Sequence, residues 1–239
     1  MTSTATPFPD ALAKRLHAIQ KLIAAGELKD AALKLNAEVK RTPDDSRIYL
    51  MGMVLAEAAG NPAGALEVAR RAVKAAPEWP VAVTELALLL ARQNQFAEAI
   101  ELARRAVELD ANNPRVLAHV IDIAHRAQQF ELAIEWLLLA AAMSPDDILM
   151  QLLLARDWRI TGQHDKAFAA YDKLIAADPL NGKALMGRAQ TALAAGNLEL
   201  ALRDCEALLA QHPDDEEVQY HLDLARGITP RTQPAQMIR

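Results

Sequence analysis

The segment QQFELAIEWLLLAAAMSPDD (residues 128–147) contains landmarks that return at one constant interval along the chain. It begins with an amide at Gln128, has a small residue at Ala133 and ends with Pro145 followed by two aspartates. Each landmark belongs to a column of similar residues with the same spacing. The columns are Gly26, Gly60, Asn94, Gln128, Gly162 and Gly196; Ala31, Ala65, Ala99, Ala133, Ala167 and Ala201; and Pro9, Pro43, Pro77, Pro145, Pro179 and Pro213, with Ala111 at the one position of the last column that lacks proline. Three columns in phase predict an internal repeat.

Each repeat unit contains two stretches of about 14 residues with helical apolar periodicity, which predicts two helices per unit. Aspartates such as Asp146 and Asp147 can cap the free amides at a helix start. Glycine between the stretches permits the left-handed residue that ends the first helix. Composition agrees, because 52% of the 239 residues are hydrophobic, only 4% are aromatic and 49 are alanine. This mixture favours an all-α protein over an all-β sandwich.

These features resemble the tetratricopeptide repeat (TPR) family, whose helix–turn–helix unit of about 34 residues has a small residue at the close helix contact. Phe96 and Phe130 fit the family's aromatic position after the turn, whereas Pro62 and His164 depart from it. The resemblance covers residues 10–226. It implies a right-handed α-solenoid of six TPR helix pairs plus a capping helix, with the first helix of each pair on the concave wall.

The repeat period divides the chain into repeats and flanking segments. The predicted repeats are residues 12–45, 46–79, 80–113, 114–147, 148–181 and 182–215, followed by a capping helix at 216–226. A cap is expected because each repeat buries its apolar face only on its neighbours. Residues 1–9 are expected to be a disordered N-terminus and residues 227–239 a flexible tail or linker.

Several functional classes are disfavoured by the sequence. It contains no phosphate loop, dinucleotide fingerprint, HExxH motif or nucleophile elbow, so we expect neither enzyme activity nor a cofactor. His119, Asp122 and His125 share a helix face, but their spacing is unusual for metal ligands and no further ligand is evident, so no metal is expected. The single cysteine, Cys205, is expected to be a buried thiol. The apolar runs are too short for membrane insertion, and the N-terminus lacks a secretory signal, which predicts a cytoplasmic protein.

The inner wall implied by the resemblance becomes polar and basic from the third repeat onward. The predicted peptide-binding groove consists of Arg92, Arg115, His119, Asp122, Arg126, Arg156, Arg159 and Lys183. Although the whole chain has a net charge of −5, seven basic residues and three acids line this face and its flanks. Because arginine guanidinium groups bind carboxylates through two hydrogen bonds, the face predicts an acidic or extended segment of a partner protein.

Two other interpretations of this face compete with peptide binding. Arg126 can pair with Asp122 and Arg156 with Asp157, which would leave a solvated face whose charges are neutralised internally. Nucleic acid would also suit a basic groove, but the stripe contains no Phe, Tyr or Trp on which bases could stack. Nucleic acid is therefore not expected as a partner.

A second candidate surface lies on the outer face of the fourth repeat. Leu138 and Leu139, preceded by Trp136, occupy positions that hold Arg104 and Arg105 one repeat earlier. A helix that is apolar nearly all round is normally buried on more than one side. These three residues are therefore a predicted convex interface for a homodimer, a partner or another domain, unless local curvature covers them.

Together these patterns predict a non-enzymatic scaffold for protein–protein interaction, with a concave groove for an acidic or extended peptide. The alternative rests on the segment before Arg239, which contains prolines and has the composition of a linker. Similar bacterial TPR arrays precede transferase domains. The chain would then be the N-terminal, substrate-selecting array of a longer transferase, such as a methyltransferase, whose catalytic domain is absent from these residues.

Overall fold

A computed structural model describes residues 10–43 and 45–228 of the chain. Within these ranges all regular secondary structure is helical, which confirms the all-α prediction. The predicted disordered N-terminus at residues 1–9 and positions 229–239 of the predicted tail lie outside the described residues.

Thirteen helices follow one another over the described part of the chain, and on each side of residues 127 and 128 every helix packs against the next one in sequence. They are α1 (Asp10–Ala24), α2 (Leu28–Arg41), α3 (Ser46–Ala58), α4 (Pro62–Ala75), α5 (Pro80–Arg92), α6 (Phe96–Leu109), α7 (Pro114–Arg126), α8 (Phe130–Met143), α9 (Ile148–Ile160), α10 (His164–Ala177), α11 (Gly182–Ala194), α12 (Leu198–Gln211) and α13 (Glu216–Ala225). From α4 onward, each helix begins one full repeat period after the helix two places before it. The sequence period is therefore the period of the helices.

Aspartate and asparagine side chains at one repeated position cap the starts of the helices. Asp45, Asn113, Asp147, Asn181 and Asp215 accept hydrogen bonds from backbone N–H groups in the first turns of α3, α7, α9, α11 and α13. These N-caps pair donors that a helix leaves without an internal partner.

The turn column ends the first helix of each pair in a left-handed conformation. Gly162 has a φ of 74°, and the two amides in this column, Asn94 and Gln128, have φ values of 60° and 57°. Glycine adopts this conformation without steric cost, and asparagine does so more readily than most other residues. The mixture of glycines and amides in the column therefore follows from one backbone requirement.

The described residues form two compact units, one ending at Ala127 and the other beginning at Gln128. In the first unit, Ala31, Ala65 and Ala99 of the alanine column have no exposed surface, as expected for a close helix contact. Helix α5 is the most enclosed element of this unit, and Glu85 is one of its few side chains that reach the surface.

The second unit contains α8–α13 and a buried ion pair. Ala133, Ala167 and Ala201 are fully buried here too. Arg188 of α11 donates from Nε and Nη2 to the two carboxylate oxygens of Asp204 in α12, each at 2.8 Å. Asp204 is only 2% exposed, and its hydrogen bonds raise the pKa of Arg188. The pair orients α11 and α12 because an unpaired buried carboxylate would be costly.

Candidate functional site

The predicted groove residues of the first unit lie on α5 and α7, and each of their arginines is paired with a carboxylate. Arg92 donates from Nη1 to Glu57 and Arg115 from Nη2 to Glu85, both to Oε1 at 2.5 Å. These two pairs join consecutive repeats. The positive charges of Arg92 and Arg115 are thus largely neutralised within this unit.

The third arginine of the first unit pairs within its own helix. Arg126 donates from Nε to Oδ2 of Asp122 at 2.7 Å, as their spacing of one helical turn predicted. His119 is half-buried on the same helix. Among the described residues, no three His, Cys, Asp or Glu side chains are arranged to hold a metal ion, and this includes the set of His119, Asp122 and His125.

The second unit has an open cavity of about 480 Å³ that brings together Arg156, Arg159 and Lys183, the three predicted groove residues of this unit. Helices α9, α10, α11 and α13 contribute to its lining. Its floor is apolar and includes Leu152 and Met186. A volume of this size lies within the range of about 300–1,000 Å³ that is usual for ligand pockets.

The positive charges of this cavity differ in their partners. Arg156 donates to Oδ1 of Asp157 from Nε and Nη2 at 3.0 and 2.9 Å, and Asp157 is fully buried. Within the described residues, Arg159 and Lys183 form no ion pair with a carboxylate. The Nε atom of Arg159 is buried without a hydrogen-bond partner in the same part of the chain. The cavity thus offers cationic groups that a carboxylate could satisfy.

Tyr171 of α10 completes the wall of the cavity, and sequence reasoning did not identify it. Burial raises the pKa of Tyr171, while the nearby positive charges of Arg159 and Arg156 act in the opposite direction. Its ring lies against Gly187 of α11, where an added Cβ would be 2.3 Å from Tyr171 Cζ. The signal in the sequence was a glycine inside a helical pattern, which often marks a packing requirement.

Acidic groups lie at one edge of this cavity. Asp215 and Glu217 belong to its lining, as does His212. Asp215 is the N-cap of α13 and accepts hydrogen bonds from the backbone N–H groups of Glu217 and Val218 at 3.0 and 3.1 Å. The capping role of Asp215 accounts for its position. The cavity is therefore lined by basic side chains from α9 and α11 and by acidic side chains at the start of α13.

The predicted convex interface is only partly exposed. Leu138 and Leu139 of α8 are 48% and 40% exposed, whereas Trp136 is 4% exposed. The prediction that Trp136 belongs to an exposed contact surface is therefore corrected. Trp136 follows Leu132 and Ala133 by one helical turn and shares their buried face.

No helix in the described ranges combines the length and the apolar character that crossing a lipid bilayer requires.

Comparisons with known proteins agree with the repeat architecture. Two family models described as "Tetratricopeptide repeat" match the sequence, one at residues 18–80 and 152–216 and the other at residues 56–118 and 90–156. A search of curated protein sequences found no match.

Solved structures similar to this chain include YrrB, described as a TPR protein with an unusual peptide-binding site. YrrB is 16% identical, with 78% of this chain and 96% of YrrB covered and a TM-score of 0.66. PilW, described as a type IV pilus biogenesis factor, is 20% identical over 90% of this chain and 99% of its own, with a TM-score of 0.63. MamA is 20% identical over 73% and 94%, with a TM-score of 0.60. At these identities the similarity establishes the fold alone.

Proposed function

The chain belongs to the tetratricopeptide repeat family, and from this premise we propose that it is a non-enzymatic scaffold that binds an extended, acidic segment of a partner protein. The family and its structural neighbours support an interaction module, and YrrB is itself described as having a peptide-binding site. The main contact in this chain is the cavity of the second unit.

One observation carries this proposal: Arg159 and Lys183 line a cavity with an apolar floor and form no ion pair with the carboxylates of the described residues. A guanidinium group forms two parallel hydrogen bonds with a carboxylate, and charge-assisted hydrogen bonds contribute roughly 1.5–3 kcal/mol. The buried Nε of Arg159 would gain a partner in such a complex.

The apolar floor supplies the second part of the recognition. Leu152, Leu153 and Met186 line the same cavity as the cationic groups. A leucine-sized side chain that becomes fully buried contributes about 1.5–3 kcal/mol. We therefore expect a segment in which a bulky aliphatic residue lies next to a carboxylate.

The arginines of the first unit are proposed as weaker contacts. A ligand carboxylate would have to displace Glu57 from Arg92, Glu85 from Arg115 or Asp122 from Arg126. Exposed ion pairs are worth only about 0–1 kcal/mol, so exchange is feasible but yields little net affinity.

The test is the binding of a fluorescein-labelled peptide of alternating leucine and glutamate, measured by fluorescence anisotropy. Lys183→Glu and Arg159→Gln should each weaken binding about tenfold, because each removes a cationic contact, and should reduce the salt dependence. Arg104→Glu is the matched control, since Arg104 is exposed on α6 and lies outside the cavity. Equal affinities of all variants, or equally tight binding of a leucine–lysine peptide, would refute the proposal.

The exposed leucines of α8 are proposed to serve a separate role in assembly. Leu138 and Leu139 do not belong to the cavity lining, so this surface is available while a peptide is bound.

A further inference from the structure

A second groove, of about 430 Å³, lies between α8 and α10 in the second unit, with α9 at its base. Ala141 and Pro145 form one side and Ala170 lies on the other. Trp158 of α9 contributes to the base and is half-buried. The groove is thus lined mainly by small and apolar side chains.

The exposed face of α8 adjoins this groove. Leu138 is one helical turn from Ala141, which lines the groove, and Leu139 and Met143 are each 40% exposed. Ala142 is exposed beside them. Apolar residues at these spacings form a continuous, partly exposed surface.

The order of the helices makes this surface complementary to itself. Short connections at residues 144–147 and 161–163 make α8, α9 and α10 successively antiparallel, so α8 and α10 run parallel on either side of α9. A ridge formed by α8 therefore lies directly beside the groove that α8 borders. A two-fold axis can place the α8 ridge of each molecule in the α8–α10 groove of the other, as ridge-into-groove packing requires.

Charges on the two elements complement each other in this arrangement. The exposed Glu135 of α8 forms no ion pair within the described residues, and neither does the exposed Lys173 at the far wall of the groove. Lys173 lies one repeat period after Leu139 and so occupies the same level on the parallel helix α10. An antiparallel partner helix that places its Glu135 at the level of Leu139 brings that carboxylate to Lys173.

We propose that the chain forms a two-fold symmetric homodimer in which α8 of each copy seats antiparallel in the α8–α10 groove of the other, with Glu135 paired to the second copy's Lys173. The inference rests on the assembly role proposed above and names its occupant. The same register places the two-fold axis at the level of Leu137 along α8. It therefore brings the two copies of Leu138 close to one another near the axis. Symmetry forms each contact twice, so a modest pair interaction is doubled.

The oligomeric state tests this dimer. Sedimentation equilibrium of the full chain at micromolar concentrations should show a monomer–dimer equilibrium, and the double variant Leu138→Asp/Leu139→Asp should raise the dimer dissociation constant at least 100-fold. The matched control is Leu33→Asp, because Leu33 is a 69% exposed leucine on α2, outside this surface. A wild type that stays monomeric up to its solubility limit, or a double variant that dimerises normally, would overturn the proposal.

The register is tested by charge exchange. Glu135→Lys and Lys173→Glu should each weaken the dimer about tenfold, since each places like charges opposite one another twice, and the combined variant should return to within about threefold of wild type. A combined variant as weak as the single ones would refute the proposed pairing.

A peptide-binding measurement distinguishes the proposed homodimer from the proposed binding of an acidic peptide in the cavity. Leu138→Asp/Leu139→Asp should bind the leucine–glutamate peptide with wild-type affinity, because neither leucine lines the cavity. Loss of dimerisation with retained peptide binding therefore supports two independent surfaces. Loss of both properties in this variant, with its helical circular dichroism intact, would contradict that independence.

Discussion

The close contact between Gly187 and Tyr171 predicts that alanine at position 187 destabilises the second unit, although alanine favours helices. A Cβ atom built at residue 187 would lie 2.3 Å from Cζ, 2.4 Å from Cε1 and 2.5 Å from Oη of Tyr171. The ring has little room to move aside, because Tyr171 is only 2% exposed.

Two opposing effects set the magnitude. Replacing glycine by alanine inside a helix gains about 1 kcal/mol of unfolding free energy. Inserting a methyl group into a well-packed contact costs about 1–3 kcal/mol. Gly187→Ala should therefore lower stability by a net 0–2 kcal/mol, roughly, in the wild-type background.

A second substitution isolates the contact. In a Tyr171→Leu background the ring atoms are gone, and Gly187→Ala should raise stability by about 1 kcal/mol. In a Tyr171→Phe background Cζ and Cε1 remain, so the substitution should behave as it does beside tyrosine. The expected coupling between positions 171 and 187 is about 1–3 kcal/mol, which is typical of residues in direct contact.

Urea unfolding followed by circular dichroism measures these differences, and hydrogen exchange of the α10 and α11 amides assigns them to this contact. Exchange is needed because repeat arrays can depart from two-state unfolding. Gly182→Ala is a control in the same helix, since a Cβ there would lie an ordinary 3.6 Å from Cδ2 of Leu208. Equal stabilisation by Gly187→Ala in all three backgrounds would refute the reasoning.

Two further predictions concern titratable groups. Burial, followed by the charges of Asp204 and Glu206, raises the pKa of Cys205 to about 11. At pH 8 a disulfide reagent such as Ellman's reagent should therefore react with Cys205 only after urea unfolds the chain. Rapid labelling of the native protein would contradict this prediction. The hydrogen bond from Arg47 lowers the pKa of Asp45, so the stability that this pair contributes is present above the unfolded-state pKa and is lost as pH falls through the folded-state pKa. Asp45→Asn retains a good N-cap and should be about 0.5–1 kcal/mol less stable than the wild type at neutral pH. Thermal unfolding should show that this difference in stability vanishes in acid. A difference that persists in acid would exclude the charge effect.

Much of the fold could be predicted because it depends on local spacing. The repeat period predicted the helix pairs, and the glycines of the turn column predicted left-handed residues, a conformation that the structure also shows at Asn94 and Gln128. The burial of Cys205 is confirmed as well. These features arise from residues close together in the chain, so sequence neighbours suffice to reveal them.

The candidate site was less predictable because its chemistry depends on contacts between repeats. Arg126 and Asp122 are one helical turn apart, and their pairing was foreseeable. The pairing of Arg92 with Glu57 joins side chains of different repeats, and no helical spacing predicts it. Trp136 was placed on the wrong face because α8 is apolar nearly all round, so its sequence does not show which face of the helix points to solvent.

The amino-acid sequence alone thus specifies the repeat, the helices and the positions where backbone geometry is restricted, because these depend on periodicity and on individual residue types. Tertiary packing determines which of the predicted groove arginines keep their charge available, since Glu57 and Glu85 reach across repeats to neutralise Arg92 and Arg115. The same packing leaves Arg159 in a leucine-lined cavity with an unsatisfied Nε. Electrostatic neutralisation acts through space, so the repeats that can bind a carboxylate are distinguished only when the helices are stacked.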